Sequence, residues 1–485
     1  MNVKKIRYRF LFIALAAVLF SCGEKSDMEI LARVDDKVIT VEEFLNRAEL
    51  TPRPAYCKTG SDKDKNIILN TLIVEKLLAR EGLSQSALRD QKLFRAFIKG
   101  RKEQYMREEL FRQMSVSEKD IDSLELRRAY ERSAFVYEVN FIIQNEEQAE
   151  RLSSALKKQA PARGKVMERF YMDFKPGKHS VRYKDPEYPA LHHALYDSIW
   201  KKGDIVGPVR MREGKYMTME ITRVLFEPPM SETERLDRKR RVLERLAESR
   251  TNANWNAYTA DLMKGITVTF NPEVTVKVAG LWSRNFKTSV MKEKGGERTK
   301  NIGRFVREIE ALGQMPMMTV AGKVWKVADF SESLLSHPLV FRKGDLSPDE
   351  FLHQFKLAVI DLIRDDYITR DAYRKGLEKL VRVRQRTAMW EDAYLSLEYR
   401  SRLFREIKDK ALDGGRDFHA GMDRIIKKLL EKYRSRIEVN RDLLRGLSIT
   451  NTDVITGQQF VPYTQIVPPF PILTREGSLL YGKDM

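Results

Sequence analysis

The chain has 485 residues and a mass of 56.6 kDa, which implies about two to four domains. Apolar residues make up 42% and charged residues 32%, a balance that buries cores and excludes a disordered chain or a multi-span membrane protein. Lys and Arg exceed Asp and Glu by 88 to 69, and the net charge of +19 points to anionic partners such as a membrane surface, acidic polypeptides or nucleic acid. Two cysteines exclude a disulfide scaffold and a zinc cluster, and six histidines leave little for metal chemistry. No metal or cofactor is expected.

Residues 1–22 read MNVKKIRYRFLFIALAAVLFSC. Lys4, Lys5, Arg7 and Arg9 precede an apolar run from Phe10 to Phe20, too short to span a bilayer and the right length for a signal-peptide core. The run ends in Leu19-Phe20-Ser21-Cys22, which resembles a bacterial lipobox. The resemblance implies acylation of Cys22 after removal of 1–21, leaving 84 basic against 69 acidic residues, or +15. Residues 22–28 then read as a tether. Cys57 falls in a polar, Pro-rich loop, TPRPAYCKTG, and reads as a passive loop thiol.

Beyond the tether, ILARV (30–34) and Val38-Ile39 read as strands around an Asp35-Asp36-Lys37 turn. Thr40 with Glu43 forms a capping box that opens a helix. Helical periodicity continues through 65–80 and 91–114, and Ser115 precedes a further helix to about Arg132. At 134 the texture changes. FVYEVNFII reads as a strand, QAERLSSALKKQ and HALYDSIW as helices, and GPVRMREGKYMTMEITRVLF as two strands around Glu213-Gly214. Ser231 and Glu234 form a second capping box, and ITVTF (266–270) is a strand. Residues 272–315 are basic, carry Gly295-Gly296 and read as a linker. The last 38 residues hold five charges and the run VPPFPIL, which predicts an extended tail without its own core.

The chain repeats itself. A shift of 286 positions lays VDDKVITVEEF (34–44) on VAGKVWKVADF (320–330), with Val34/Val320, Lys37/Lys323, Val38/Val324, Val41/Val327 and Phe44/Phe330 identical. LIVEKLLARE (72–81) then matches LIRDDYITRD (362–371), and ITVTFN (266–271) matches SRIEVN (435–440). The expectation is a strand-helix unit used twice, with an α+β insert in the first copy only.

Strand-turn-strand-capped helix, LI…LL and VSEKDIDSLELRRAYERS before an insert resemble the SurA/PrsA-type periplasmic foldases. ALYDSIWKKGDIVGPVRMREGKYMTMEITRV is similar to a parvulin peptidyl-prolyl isomerase domain in its helix, Gly-Asp turn, Gly-Pro-Val strand and closing Gly-aromatic strand. The resemblance implies an α+β chain of mostly helical chaperone modules with a parvulin-like insert. Its segments are 29–133, a helical first part; 134–227, the insert; 228–271, completing the first module; 272–315, the linker; 316–447, a second module; and 448–485, the tail.

A prolyl isomerase needs an apolar cup that strips water from a twisted amide, and neither nucleophile nor metal. The family's two hydrogen-bonded histidines on adjacent strands fall here on Asn140 and Tyr216, and FYMDFKPGKHSVRYKD replaces its Gly-rich loop. The implied catalysis is weak or absent. His192-His193 reads as a structural pair, since neighbours on a helix diverge by about 100°. The aromatic stripes Phe94, Phe97, Tyr105, Phe111 and Tyr394, Tyr399, Phe404 read first as core, and as a cradle for unfolded chains in the chaperone reading. The expectation is a lipid-anchored, periplasm-facing foldase, on the outer membrane, that holds unfolded exported or outer-membrane polypeptides. Alternatives are an active isomerase with an altered site and a scaffold subunit of an envelope complex. Charged helices of mixed sign and an export signal argue against nucleic acid.

Overall fold

The computed structural model describes residues 29–83, 88, 91–159, 163–185, 188–211, 214–285, 304–342, 346–410, 418–452 and 457–473. Cys22 and the amino-terminal segment lie outside them. The fold is α+β, mostly helical with small antiparallel sheets. It divides into two compact units, one running to Leu110 and resuming at Gly265, the other Phe111–Lys264.

The first unit begins with β1 (Ile30–Val34) and β2 (Lys37–Thr40), then α1 (Val41–Glu49), α2 (Asp62–Leu83) and α3 (Lys92–Gln113). Thr40 accepts from the Glu43 N–H, so half of the predicted capping box of α1 is present, while the Glu43 side chain turns to Lys76 instead of closing it. After the second unit come β7 (Val268–Phe270), α9 (Pro272–Asn285), β8 (Pro316–Val320), β9 (Lys323–Lys326), α10 (Val327–Ser336) and α11 (Pro348–Arg374). The unit closes with α12 (Val381–Lys410), α13 (Phe418–Tyr433), β10 (Ile437–Val439) and α14 (Arg441–Gly446).

The repeat is visible in detail. Asp35 and Ala321, equivalent under the 286-residue shift, both hold positive φ (57° and 48°) in the turns β1–β2 and β8–β9. Phe44 and Phe330 are both fully buried. The halves nevertheless exchange their last strands. β10 pairs with β1 in a sheet ordered β10-β1-β2, and β7 pairs with β8 in one ordered β7-β8-β9. The expected closure of each module by its own final strand is thereby replaced.

Helix burial explains the exchange. The stripe Val274, Val278 and Trp282 of α9 packs with Phe305, Phe330 and Phe355 in the core of the second repeat, so β7 ends beside β8. The stripe Met422, Ile426, Leu429 and Leu430 of α13 enters the core of the first repeat with Leu31, Ile68 and Leu72, which brings β10 to β1. Three-residue strands bury too little to choose an edge themselves. The expected linker at 272–315 is accordingly corrected for 272–285 and 304–315, which carry α9 and the buried Phe305 and Ile309; Gly295-Gly296 lies outside the described residues.

Charges are buried with their partners. Arg47 donates two bonds to Glu75 (2.8 and 2.9 Å), and Lys76 sits between Glu43 (2.8 Å) and Asp392 (3.1 Å). Cys57, expected as a passive loop thiol, is fully buried among the first repeat's apolar side chains.

The second unit holds α4 (Ser123–Arg132), β3 (Phe135–Gln144), α5 (Glu146–Lys158), α6 (Arg163–Asp173), β4 (Gly177–Arg182), α7 (Pro189–Tyr196), β5 (Ile205–Arg210), β6 (Tyr216–Phe226) and α8 (Glu232–Leu262). Its sheet runs β4-β3-β6-β5, antiparallel throughout. One face packs Ile142 against Leu152, Val166 and Met167 of α5 and α6. The other packs Tyr137, Val139, Met219 and Ile221 against Leu191, Leu195 and Val242. Val242 belongs to α8, so α8 and α4 fold with the insert rather than with the flanking module to which 29–133 and 228–271 were assigned.

Candidate polypeptide-binding site

The predicted pair Asn140 and Tyr216 lies on adjacent strands, but the register separates the two. Asn140 stands opposite Glu220, and Tyr216 stands opposite Gln144. Four residues of strand, about 13 Å, lie between those rows. The Tyr216 hydroxyl donates instead to Glu146 (3.1 Å), and partial desolvation together with that bond pushes its phenol up. At the Asn140 row the polar group from β6 is Glu220, which accepts from the Tyr171 hydroxyl of α6 (2.7 Å). Burial first, and then the Glu220 carboxylate, push the Tyr171 phenol well above its usual value. Alternation along β6 puts Tyr216, Thr218 and Glu220 on one face, so this polar row was readable from the sequence; its register was not. The residues expected to replace a Gly-rich loop form the end of α6 and the edge strand β4.

The opposite face carries an aromatic cluster. Tyr196 donates to the carbonyls of Val181 (3.0 Å) and Phe135 (3.2 Å), and Tyr137 accepts from the Trp200 N–H (3.3 Å). His192 shares a hydrogen bond with the Tyr183 carbonyl (3.0 Å) and packs on Tyr183 and Tyr196. Burial, then Arg245, hold its pKa down at about 4, so the ring is neutral at pH 7. A neutral ring bonded to a carbonyl is a packing element, not a proton carrier. An open groove of about 670 Å³ runs over this cluster between α4, α7 and α8, with Arg128, Arg132, Asp122 and Glu125 on its walls.

No protein-family model, curated protein or solved structure matches the chain.

A second groove, of about 470 Å³, opens where β3 begins and β6 ends, with Ala134, Phe135 and Met230 apolar, Arg182, Lys184, Arg238 and Arg241 basic, and Glu227 and Glu234 acidic. Beside it Phe226, packed on Phe135, is 63% exposed, and Met230 is 85% exposed. Sequence reading missed these two residues. The only signal was their position flanking Pro228-Pro229, where the strand has ended and the helix has not begun. Large apolar side chains held open beside a charged rim suit reversible contact with apolar polypeptide. The aromatic stripes, by contrast, are mostly core. Phe94, Phe97 and Tyr105 are buried, and Phe97 packs on Trp390 and Tyr394. Phe404 is exposed.

Proposed function

We propose that the chain is a lipid-anchored foldase of the bacterial envelope, related to the SurA/PrsA-type proteins, that holds unfolded exported or outer-membrane polypeptides. The observation that carries the reading is the exposed pair Phe226 and Met230 beside a groove with a charged rim. Unfolded barrel strands expose alternating apolar side chains and unpaired edges, and such a surface complements them. Among the described residues no helix is long and apolar enough to cross a membrane, so the anchor in this reading is lipid on Cys22. Parvulin-like order in the second unit supports the family reading, because α7, the Gly203-Asp204 turn, β5 and β6 follow one another and β6 lies beside β3.

Isomerase activity in this reading is weak. The row where a histidine pair would lie holds Asn140 opposite Glu220, and Glu220 is engaged by Tyr171. An orienting pair contributes about 10–100-fold to such a reaction. The test is light scattering of a diluted, denatured barrel protein at stoichiometric chaperone, alongside protease-coupled turnover of a proline peptide. Suppression with slow turnover is expected. No suppression discards the holdase reading, and turnover at the rate of a histidine-bearing parvulin discards the weak-catalysis reading.

A further inference from the structure

The tail of the first unit is held in an unusual way. Between Tyr463 and Ile472 its backbone is gripped by side chains rather than by strands. Gln104 donates to the Tyr463 carbonyl and accepts from the Tyr463 N–H, both at 3.0 Å, as a neighbouring strand would. Arg101 donates to the Gln465 carbonyl (2.6 Å), Tyr105 to Ile466 (3.4 Å), Arg47 to Pro469 (3.1 Å) and Arg400 to Ile472. Five successive grips address carbonyl oxygens, which every polypeptide has.

The gripped segment has the composition and spacing that favour a polyproline II helix. Val467, Phe470 and Leu473 are buried at intervals of three, with Pro468, which is buried too, the exposed Pro469 and the half-buried Pro471 between them. Three residues per turn is the period of a polyproline II helix, whose backbone makes no internal bonds and leaves its carbonyls to a partner. Some contacts within the trough do not involve the tail. Trp390 donates to the Tyr105 hydroxyl (2.6 Å), and the Arg101 guanidinium lies 3.6 Å from the Trp390 ring centre. Arg101 is 3% exposed, and Arg101 Nε has no partner among the described residues. At one end the Tyr463 ring packs on Phe97, and its hydroxyl donates to the Ser336 carbonyl (2.9 Å). A Cβ on Gly100 would stand 2.0 Å from the Ser336 carbonyl oxygen and 2.3 Å from that hydroxyl, so this close approach requires glycine.

We propose that this trough, between α3, α12 and α1, is a binding site for extended, proline-containing polypeptide segments, and that residues 463–473 are its resident occupant, displaced by an incoming client. The proposal rests on the chaperone reading for the identity of the client. Recognition through carbonyls, polyproline II shape and apolar side chains at every third position tolerates many sequences, as a holdase requires. The tethered tail competes at an effective concentration of roughly millimolar, so the site is masked until a client outcompetes it.

A fluorescein-labelled peptide of residues 457–473 is the probe, added to the full chain. Binding by anisotropy should be at least about tenfold tighter to a Val467→Asp/Phe470→Asp chain, whose own tail is weakened, than to wild type. Adding Gln104→Ala to that chain should remove about tenfold again. Equal affinity for wild type and the tail variant overturns the proposal. Should the variant fail to fold, the wild-type chain suffices. About a hundredfold excess of peptide should speed amide exchange at 463–467 by threefold or more, and unchanged exchange overturns the site. A denatured barrel protein separates the two readings. Suppressed aggregation with unchanged tail exchange overturns displacement and leaves the holdase standing; peptide binding without suppression does the reverse.

Discussion

The backbone N–H of Asn440 donates to the carbonyl of Leu31 (2.9 Å), so the strand ending the second repeat closes the sheet that begins the first. Asn271 makes the same bond to Met317 (2.8 Å), at the position equivalent to Leu31 under the repeat shift. Each asparagine also accepts from an N–H of the helix that follows, Leu443 and Val274. The exchange is therefore reciprocal and in matched register. It ties the two repeats into one folding unit, because neither sheet is complete without a strand from the other half.

Cross-linking distinguishes the exchanged pairing from self-closure. Arg33 stands opposite Glu438, and Thr269 opposite Thr319. Cysteines at either pair should join in good yield with a short thiol cross-linker, since opposed strand residues are about 5 Å apart. Cysteines at Arg33 and Thr269, the pair that self-closure brings together, should not join. Mass spectrometry of the digested product reads the outcome.

The ion pair of Arg47 with Glu75 should behave as a buried pair whose partners depend on each other. Glu75→Ala strands the guanidinium, which also donates to Pro469, and should cost about 3–5 kcal/mol in urea unfolding of the first unit. Arg47→Met combined with Glu75→Leu removes both charges and should recover most of that loss. A double variant no more stable than Glu75→Ala alone would contradict this account.

Acid should destabilise the second unit through His192. The unfolded imidazole titrates near 6.5, and in the fold burial and then Arg245 hold it at about 4. Between those values the unfolded chain binds a proton that the folded chain does not. Stability is thus complete above pH 6.5, falls as the pH drops towards 4 and levels off below, by about 3 kcal/mol in total. Amide exchange of β3 and β6 should follow this curve, and His192→Gln should flatten it.

Cys57 should resist thiol reagents in the native chain, being fully buried in the first repeat's core. In a Cys22→Ser chain, a chromogenic disulfide reagent should react with Cys57 only as fast as the first unit opens, and at once in denaturant. Rapid native labelling would place the segment around Pro54 on the surface instead.

Much of this fold is legible in local sequence. The turn at Asp35-Asp36, the Thr40 cap, the duplicated Val-Lys-Val…Phe pattern and the strand-helix order of residues 134–226 follow from short-range geometry and hydrophobic period, which act within a few residues of chain. The apolar stripe Val274, Val278, Trp282 was legible too, though the surrounding basic charge pointed to a linker. What only the tertiary structure decided is partnership. Strands of three residues carry no information about which edge they will join, and the burial of α9 and α13 chose for them. A strand's alternation likewise names its faces but not its register, so only the folded sheet could set Asn140 against Glu220 and leave Tyr216 to Glu146. The tail's prolines and sparse charge foretold an extended segment, but its seat among Gln104, Arg101 and Trp390 depends on side chains hundreds of residues apart in sequence, converging only when the helices pack.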